Sequence, residues 1–192
     1  MRRSVLNLAC SLALAAAVPW VRADAPAVRL VPDKSQVQFV SKQMGVPVEG
    51  RFGRFSAQVA FDPRRPEGGS IRLLVDTGSA TLGVPEGDAE LPKPAWFDTA
   101  SFPQADFAST SIKGLGNGRF EVAGRLTIKG RTQELVVPLA ITQAEGQSVA
   151  TGSLTIQRLA FKVGDGEWAD TSLVANDVLV RFKFTLSGLG PL

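Results

Sequence analysis

The feature that most limits what this chain can become is a period-two alternation of apolar side chains, repeated in run after run. In a strand, successive side chains point to opposite faces; a helix needs a period near 3.6. Val37, Phe39 and Ser41 share one face, with Gln36, Gln38 and Lys42 on the other beside Val40. Phe55, Ala57, Val59 and Phe61 alternate with Ser56, Gln58 and Ala60, and Ile71, Leu73 and Val75 with Arg72, Leu74 and Asp76. Phe120, Val122, Gly124, Leu126 and Ile128 run against Glu121, Ala123, Arg125, Thr127 and Lys129, and Leu135, Val137, Leu139 and Ile141 continue the pattern. Val178, Val180, Phe182, Phe184 and Leu186 set an apolar row against Arg181 and Lys183. Runs near 105–113 and 148–157 alternate less cleanly. Asn117-Gly118, Lys129-Gly130 and Glu145-Gly146 supply short turns, which make antiparallel neighbours, and a proline-rich loop runs from Asp62-Pro63 to Gly68-Gly69. About eight antiparallel strands with one apolar face predict an all-β domain, either a closed barrel or a sandwich.

Two stretches break the pattern. Residues 82–103 form a long connection with room for one short helix near Asp88–Leu91, since Pro92 and Pro94 forbid a longer one. Residues 158–173 form the second. Each carries a tryptophan, Trp96 and Trp168, and each is expected to cover an opening of the sheet.

Composition removes most chemistry. The chain of 192 residues contains no histidine, which excludes His-based acid–base catalysis and His-ligated metals. Its one cysteine, Cys10, lies in a leader-like segment, so the remainder has no thiolate nucleophile and no disulfide. That segment begins with Arg2 and Arg3, runs through the mainly apolar Leu6 to Val18, too short to span a bilayer, and reaches a small-residue site at Val21-Arg22-Ala23. It reads as a signal peptide over residues 1–23, leaving one domain over 24–192. The formal charge of +3 belongs to the leader: setting aside Arg2, Arg3 and Arg22 leaves 18 cations against 18 anions. Nucleic-acid binding thereby loses its electrostatic basis.

No catalytic constellation stands out. Gly114-Leu115-Gly116-Asn117-Gly118 has the glycines of a phosphate loop but no helix after it, and a hairpin turn is the better reading. Asp165, Glu167 and Asp170 do not match a calcium loop and read as a solvated acidic loop. No pair of carboxylates is singled out for glycosidic chemistry. The 11 phenylalanines, with no tyrosine anywhere, suit a dry interior.

Several short motifs together resemble the YceI-like family. They are Val37-Gln38-Phe39, Gly45 and Val48-Glu49-Gly50-Arg51-Phe52-Gly53-Arg54-Phe55, then Trp96-Phe97-Asp98, Phe102-Pro103-Gln104-Ala105-Asp106-Phe107 and Ser109-Thr110, and finally Gly124-Arg125-Leu126-Thr127-Ile128-Lys129-Gly130. The resemblance implies an eight-stranded antiparallel lipocalin-like β-barrel whose apolar pore holds a polyisoprenoid chain, a polyprenyl phosphate or an isoprenoid quinone tail. It further implies a periplasmic location in a Gram-negative bacterium and no catalytic cofactor. Relatives carry histidines beside the positions of Lys34 and Gln43-Met44, which this chain lacks. The expected lining is Phe39, Phe52, Phe55, Phe107, Leu126, Ile128, Phe182 and Phe184, with Trp96, Phe97, Phe161 and Trp168 near an opening. An inner-membrane cytochrome, a lipid-processing protein and a second copy of the chain are the candidate protein partners. Two alternatives stand beside lipid carriage: an interaction or stress-response barrel with structural lipid, and an enzyme acting on the lipid through carboxylates.

Overall fold

The computed structural model describes residues 28–192; the leader lies outside them. The strands are β1 (Arg29–Leu30), β2 (Gln36–Gln43), β3 (Val46–Phe52), β4 (Phe55–Ala60), β5 (Ser70–Asp76), β6 (Ala80–Thr81), β7 (Gln104–Gly116), β8 (Arg119–Ile128), β9 (Arg131–Ala144), β10 (Gln147–Gln157) and β11 (Asp177–Ser187), with one helix, α1 (Pro85–Glu90).

Every pairing is antiparallel, and the hydrogen-bonded order is β4-β5-β7-β8-β9-β10-β11-β2-β3-β6. The path closes covalently, because β3, next to its far end, runs through Gly53-Arg54 directly into β4 at the other. β3 and β4 are thus two halves of one bent strand that pairs with β2 above the bend and with β5 below it. Counted this way, the wall is an eight-stranded antiparallel barrel of lipocalin-like form, as the sequence implied. β1 spans the seam, pairing with β11 at Leu30↔Leu186 while Val28 bridges to Val59 on β4.

The hairpins follow from turn chemistry. Asn117 and Gly118 between β7 and β8 have φ of 53° and 69°, the left-handed pair of a type I′ turn, whose twist matches that of the strands. Met44-Gly45, Lys129-Gly130 and Glu145-Gly146 repeat this pair of positive φ values.

The two ragged runs have separate causes. In β7 the register shifts between Ser109 and Ser111 and again between Gly114 and Gly116. The first shift moves the inward positions from odd numbers (Ala105, Phe107) to even ones (Ile112), as a β-bulge does. In β10 the parity holds, but the inward positions Ser148, Ala150 and Gly152 are small.

The helix sits earlier than expected, over Pro85–Glu90 and not near Asp88–Leu91. Pro85 occupies its first turn, where a missing N–H is no loss, and Leu91 is already its buried C-cap. Asp88 accepts from Thr81 Oγ1 and from the Leu82 amide, both at 2.6 Å. These bonds tie the helix to β6 and hold the Asp88 carboxyl below the usual carboxylate range.

One buried cluster gathers Phe61, Ile112, Phe120, Val122, Val137 and Ile141. Phe61 and Phe120 meet edge to face at 5.1 Å. A second cluster, Val75, Ala105, Ile128, Phe161 and Val163, lies toward the long loops.

Candidate functional site: an apolar cavity under a two-loop lid

The inward rows of all eight walls meet around an internal cavity of about 230 Å³. That is many times the roughly 10–15 Å³ one water centre requires. Its wall is apolar except for Ser41 and Arg158. Of the twelve residues expected to line a pore, ten reach the cavity. Phe39, Phe52, Phe107, Leu126, Ile128, Phe182 and Phe184 do so from the strands, and Trp96, Phe97 and Phe161 from the loops.

Phe55 and Trp168 do not. Phe55 opens β4 on the same face as Ala57 and Val59, packs against the Val75 cluster and has its ring 5.9 Å from that of Phe184, and it also borders a groove at the seam with Gln36, Gln38, Arg51 and Arg54. Trp168 packs its ring 5.6 Å from that of Trp96, and of the two only Trp96 lines the cavity.

The tryptophan pair belongs to a lid built from both long loops, at the end of the barrel where β7 and β11 begin. The amides of Gly164 and Asp165 both donate to the carbonyl of Ala95, at 2.8 and 3.1 Å, joining the loops through their backbones. Lys129 donates to the Lys162 carbonyl at 2.7 Å and lies 3.6 Å from Asp165. Asp170 accepts from the amide and hydroxyl of Ser172 at 2.8 and 2.7 Å, bonds that depress its carboxyl pKa. Asp165 and Asp170 of the acidic loop therefore have protein partners.

Arg158 organises the lid, and sequence reasoning missed it. The residue is 3% exposed. Its Nε donates to Ala175 O, one terminal nitrogen to Val163 O and Gly164 O, and the other to Trp168 O and Val174 O. Those five acceptors exhaust the donors of a guanidinium. Burial pushes its pKa down, yet an arginine keeps its proton in a protein. The cation is thus held by carbonyl dipoles without a carboxylate, and it has no donor left for a ligand. A signal for it did exist: continuing the inward parity of Ala150, Leu154 and Ile156 lands on residue 158.

Two buried side-chain atoms among the described residues lack a hydrogen-bond partner, Nε1 of Trp96 and Nε1 of Trp168. A buried indole N–H normally finds an acceptor, so both are places where the closed lid is underpaired.

Cavity and solid core predict different responses to truncation. Phe120→Ala, at a buried ring that does not line the cavity, should cost about 3–5 kcal/mol, because it opens a new void. Phe182→Ala should cost about 1–2 kcal/mol, because the void already exists, and the exposed Lys183→Ala about 0.5 or less. Urea titration checks the ranking; equal midpoints for the two phenylalanine variants would contradict it.

The YceI-like domain model matches residues 29–186, almost all of the described chain. The chain belongs to the YceI-like family. The crystal structure of Burkholderia cenocepacia BcnA is 42% identical, with a TM-score of 0.79 over 81% of this chain and 98% of that one. A polyisoprenoid binding domain from Saccharophagus degradans shares the fold, at 18% identity and a TM-score of 0.68, over 84% of this chain and 98% of that one. Among curated relatives, a UPF0312 protein of Shewanella denitrificans is 32% identical over 114 residues, 59% of each chain. A UPF0312 protein of Vibrio cholerae is 32% identical over 90 residues, 47% of this chain and 48% of that one. The chain thus spans between half and three fifths of the length of these curated relatives.

Proposed function

We propose that this chain is an exported, periplasmic protein that holds the isoprenoid tail of a lipid, a polyprenyl phosphate or an isoprenoid quinone, inside its barrel for transport or storage, without catalysing a reaction on it. The observation that carries the reading is a lumen walled by apolar residues, in which the one charged group is already saturated by carbonyls. Such a site attracts a long hydrocarbon by partition: each buried methylene contributes about 0.8 kcal/mol, so a tail of many isoprene units needs no charged anchor. The solved Saccharophagus degradans relative, described as a polyisoprenoid binding domain, supports the same reading.

Native mass spectrometry of protein purified from the periplasm of a Gram-negative host, with lipid extraction, tests it. The expected result is a mass excess matching a prenyl lipid. Protein that carries no lipid and takes none up would leave an interaction module as the better account. The leader supports export, through Arg2, Arg3, the apolar run and the site ending at Ala23. N-terminal sequencing of that material should begin at Asp24; a mature chain that retains Met1 would overturn the export reading.

A further inference from the structure

Three of the inward positions in the middle of strands are glycines, an unusual choice where a side chain could pack. Each lies under a cavity-lining phenylalanine of the neighbouring strand. Gly50 on β3 pairs with Phe39 on β2, and Gly152 on β10 pairs with Phe182 on β11. Gly124 on β8 pairs with Ser109, two residues along β7 from Phe107. In all three cases a Cβ built on the glycine would fall within 3 Å of the ring's outer atoms. The ring therefore occupies the space the missing side chain leaves, lying over the backbone of the wall. With a side chain at that position, the ring would have to swing away from the wall, and the open direction is the lumen.

The three pairs are spread around the barrel. They occupy the β2/β3, β7/β8 and β10/β11 seams, so no two share a strand. Elsewhere the wall mixes aliphatic side chains such as Leu73, Val137 and Leu139 with aromatic ones that have no glycine beneath them, such as Phe52 and Phe184.

We infer that the pairs Phe39/Gly50, Phe107/Gly124 and Phe182/Gly152 set the bore of the lumen and are the specificity-determining residues of the cavity, selecting lipids with a single slender chain over those with fused rings. The inference rests on the carrier reading and deepens it. The glycines keep the rings against the wall, which leaves a channel for one chain. The rings themselves remain bulky enough to refuse the width of a sterol nucleus.

Gly50→Ala is the cleanest test, because the three atoms nearest the added methyl all belong to the Phe39 ring, whereas at Gly124 and Gly152 the backbone oxygens of Ala108 and Pro138 are among the nearest. Nonaprenyl alcohol and, separately, cholesterol are titrated into delipidated protein and bound lipid is counted by native mass spectrometry. The parent chain should take up nonaprenyl alcohol and refuse cholesterol. Gly50→Ala should bind nonaprenyl alcohol about tenfold more weakly, and adding Phe39→Ala to it should restore the affinity to within about threefold. Phe182→Ala, with Gly152 intact, should admit cholesterol; this arm stands even where Gly50→Ala fails to fold. Unchanged binding by a folded Gly50→Ala, or continued refusal of cholesterol by Phe182→Ala, overturns the inference alone. A parent chain that binds neither lipid overturns the carrier reading and the inference with it.

Discussion

Replacing Arg158 with methionine will lower the unfolding free energy by about 3–5 kcal/mol, the largest effect expected of any single substitution in the lid. The side chain is buried, and its five N–H groups are the donors to five carbonyls, those of Val163, Gly164, Trp168, Val174 and Ala175. Methionine fills much of the same volume but donates nothing, so these carbonyls lose partners in a place where water does not replace them. Hydrogen bonds to a charged donor contribute roughly 1.5–3 kcal/mol each, and they are not additive when one group makes all of them. Lysine is the more informative variant. It keeps the charge, but a single ammonium with three donors cannot span acceptors arranged around a planar fork. Arg158→Lys should therefore still lose about 2 kcal/mol or more. Arg181→Met, on the exposed face of β11, should change stability by about 0.5 kcal/mol or less. Urea midpoints give the energies, and hydrogen exchange locates the damage: amides of residues 159–175 should lose protection before those of the barrel strands. A lysine variant as stable as the parent would show that charge alone, and not the five-fold donor geometry, secures the lid.

The barrel was legible because its inward rows are almost unbroken. The row Val178, Val180, Phe182, Phe184, Leu186 faces the cavity along its whole length, as its alternation with Arg181 and Lys183 indicated. The illegible strands were those in which geometry edits the code. The register shift in β7 between Ser109 and Ser111 changes parity mid-strand, so neither odd nor even positions stay apolar throughout. In β10, Gly152 looks like a break in the strand when read alone; its meaning lies in Phe182, thirty residues away in sequence, whose ring fills the space above it. A single sequence displays the glycine and the phenylalanine but not their pairing.

The site was legible to the same extent and for the same reason. Residues on regular strands fell on the faces parity gave them; Phe55 shares the face of Ala57 and Val59 and packs against the Val75 cluster, although it is not part of the cavity wall. Trp168 lies in a short 3-10 turn, Gly166–Trp168, where no alternation exists to orient it. Arg158 was hidden differently. Charge is expected on the outer face, and the partners that make burial tolerable are backbone carbonyls, which every residue possesses and no sequence marks.

Loading the barrel with nonaprenyl alcohol will raise its thermal midpoint and change its tryptophan emission at the same time. A ligand that binds only the folded chain stabilises it by RT ln(1 + [L]/Kd), about 2.7 kcal/mol when free lipid is a hundredfold above Kd. For a domain of this size that corresponds to roughly 5–11 °C, a shift well outside the error of a melt. The fluorescence follows from the lid. Trp96 lines the cavity and stacks obliquely on Trp168, so a chain beneath Trp96 alters the surroundings of the pair. An isoprenoid quinone should quench the emission, whereas the alcohol should shift it without quenching. The two tryptophans then separate the roles of lining and backing. Trp96→Leu removes a ring from the cavity wall and should weaken lipid binding. Trp168→Leu removes only the ring behind it and should leave affinity nearer to that of the parent while loosening the lid. Both variants should retain the far-UV signal of the barrel, since neither residue belongs to a strand. An equal loss of affinity in the two variants would mean that Trp168 acts as lining in the loaded state. Emission and melting midpoint that are both indifferent to added lipid would mean that the chain passes elsewhere, or nowhere, in this barrel.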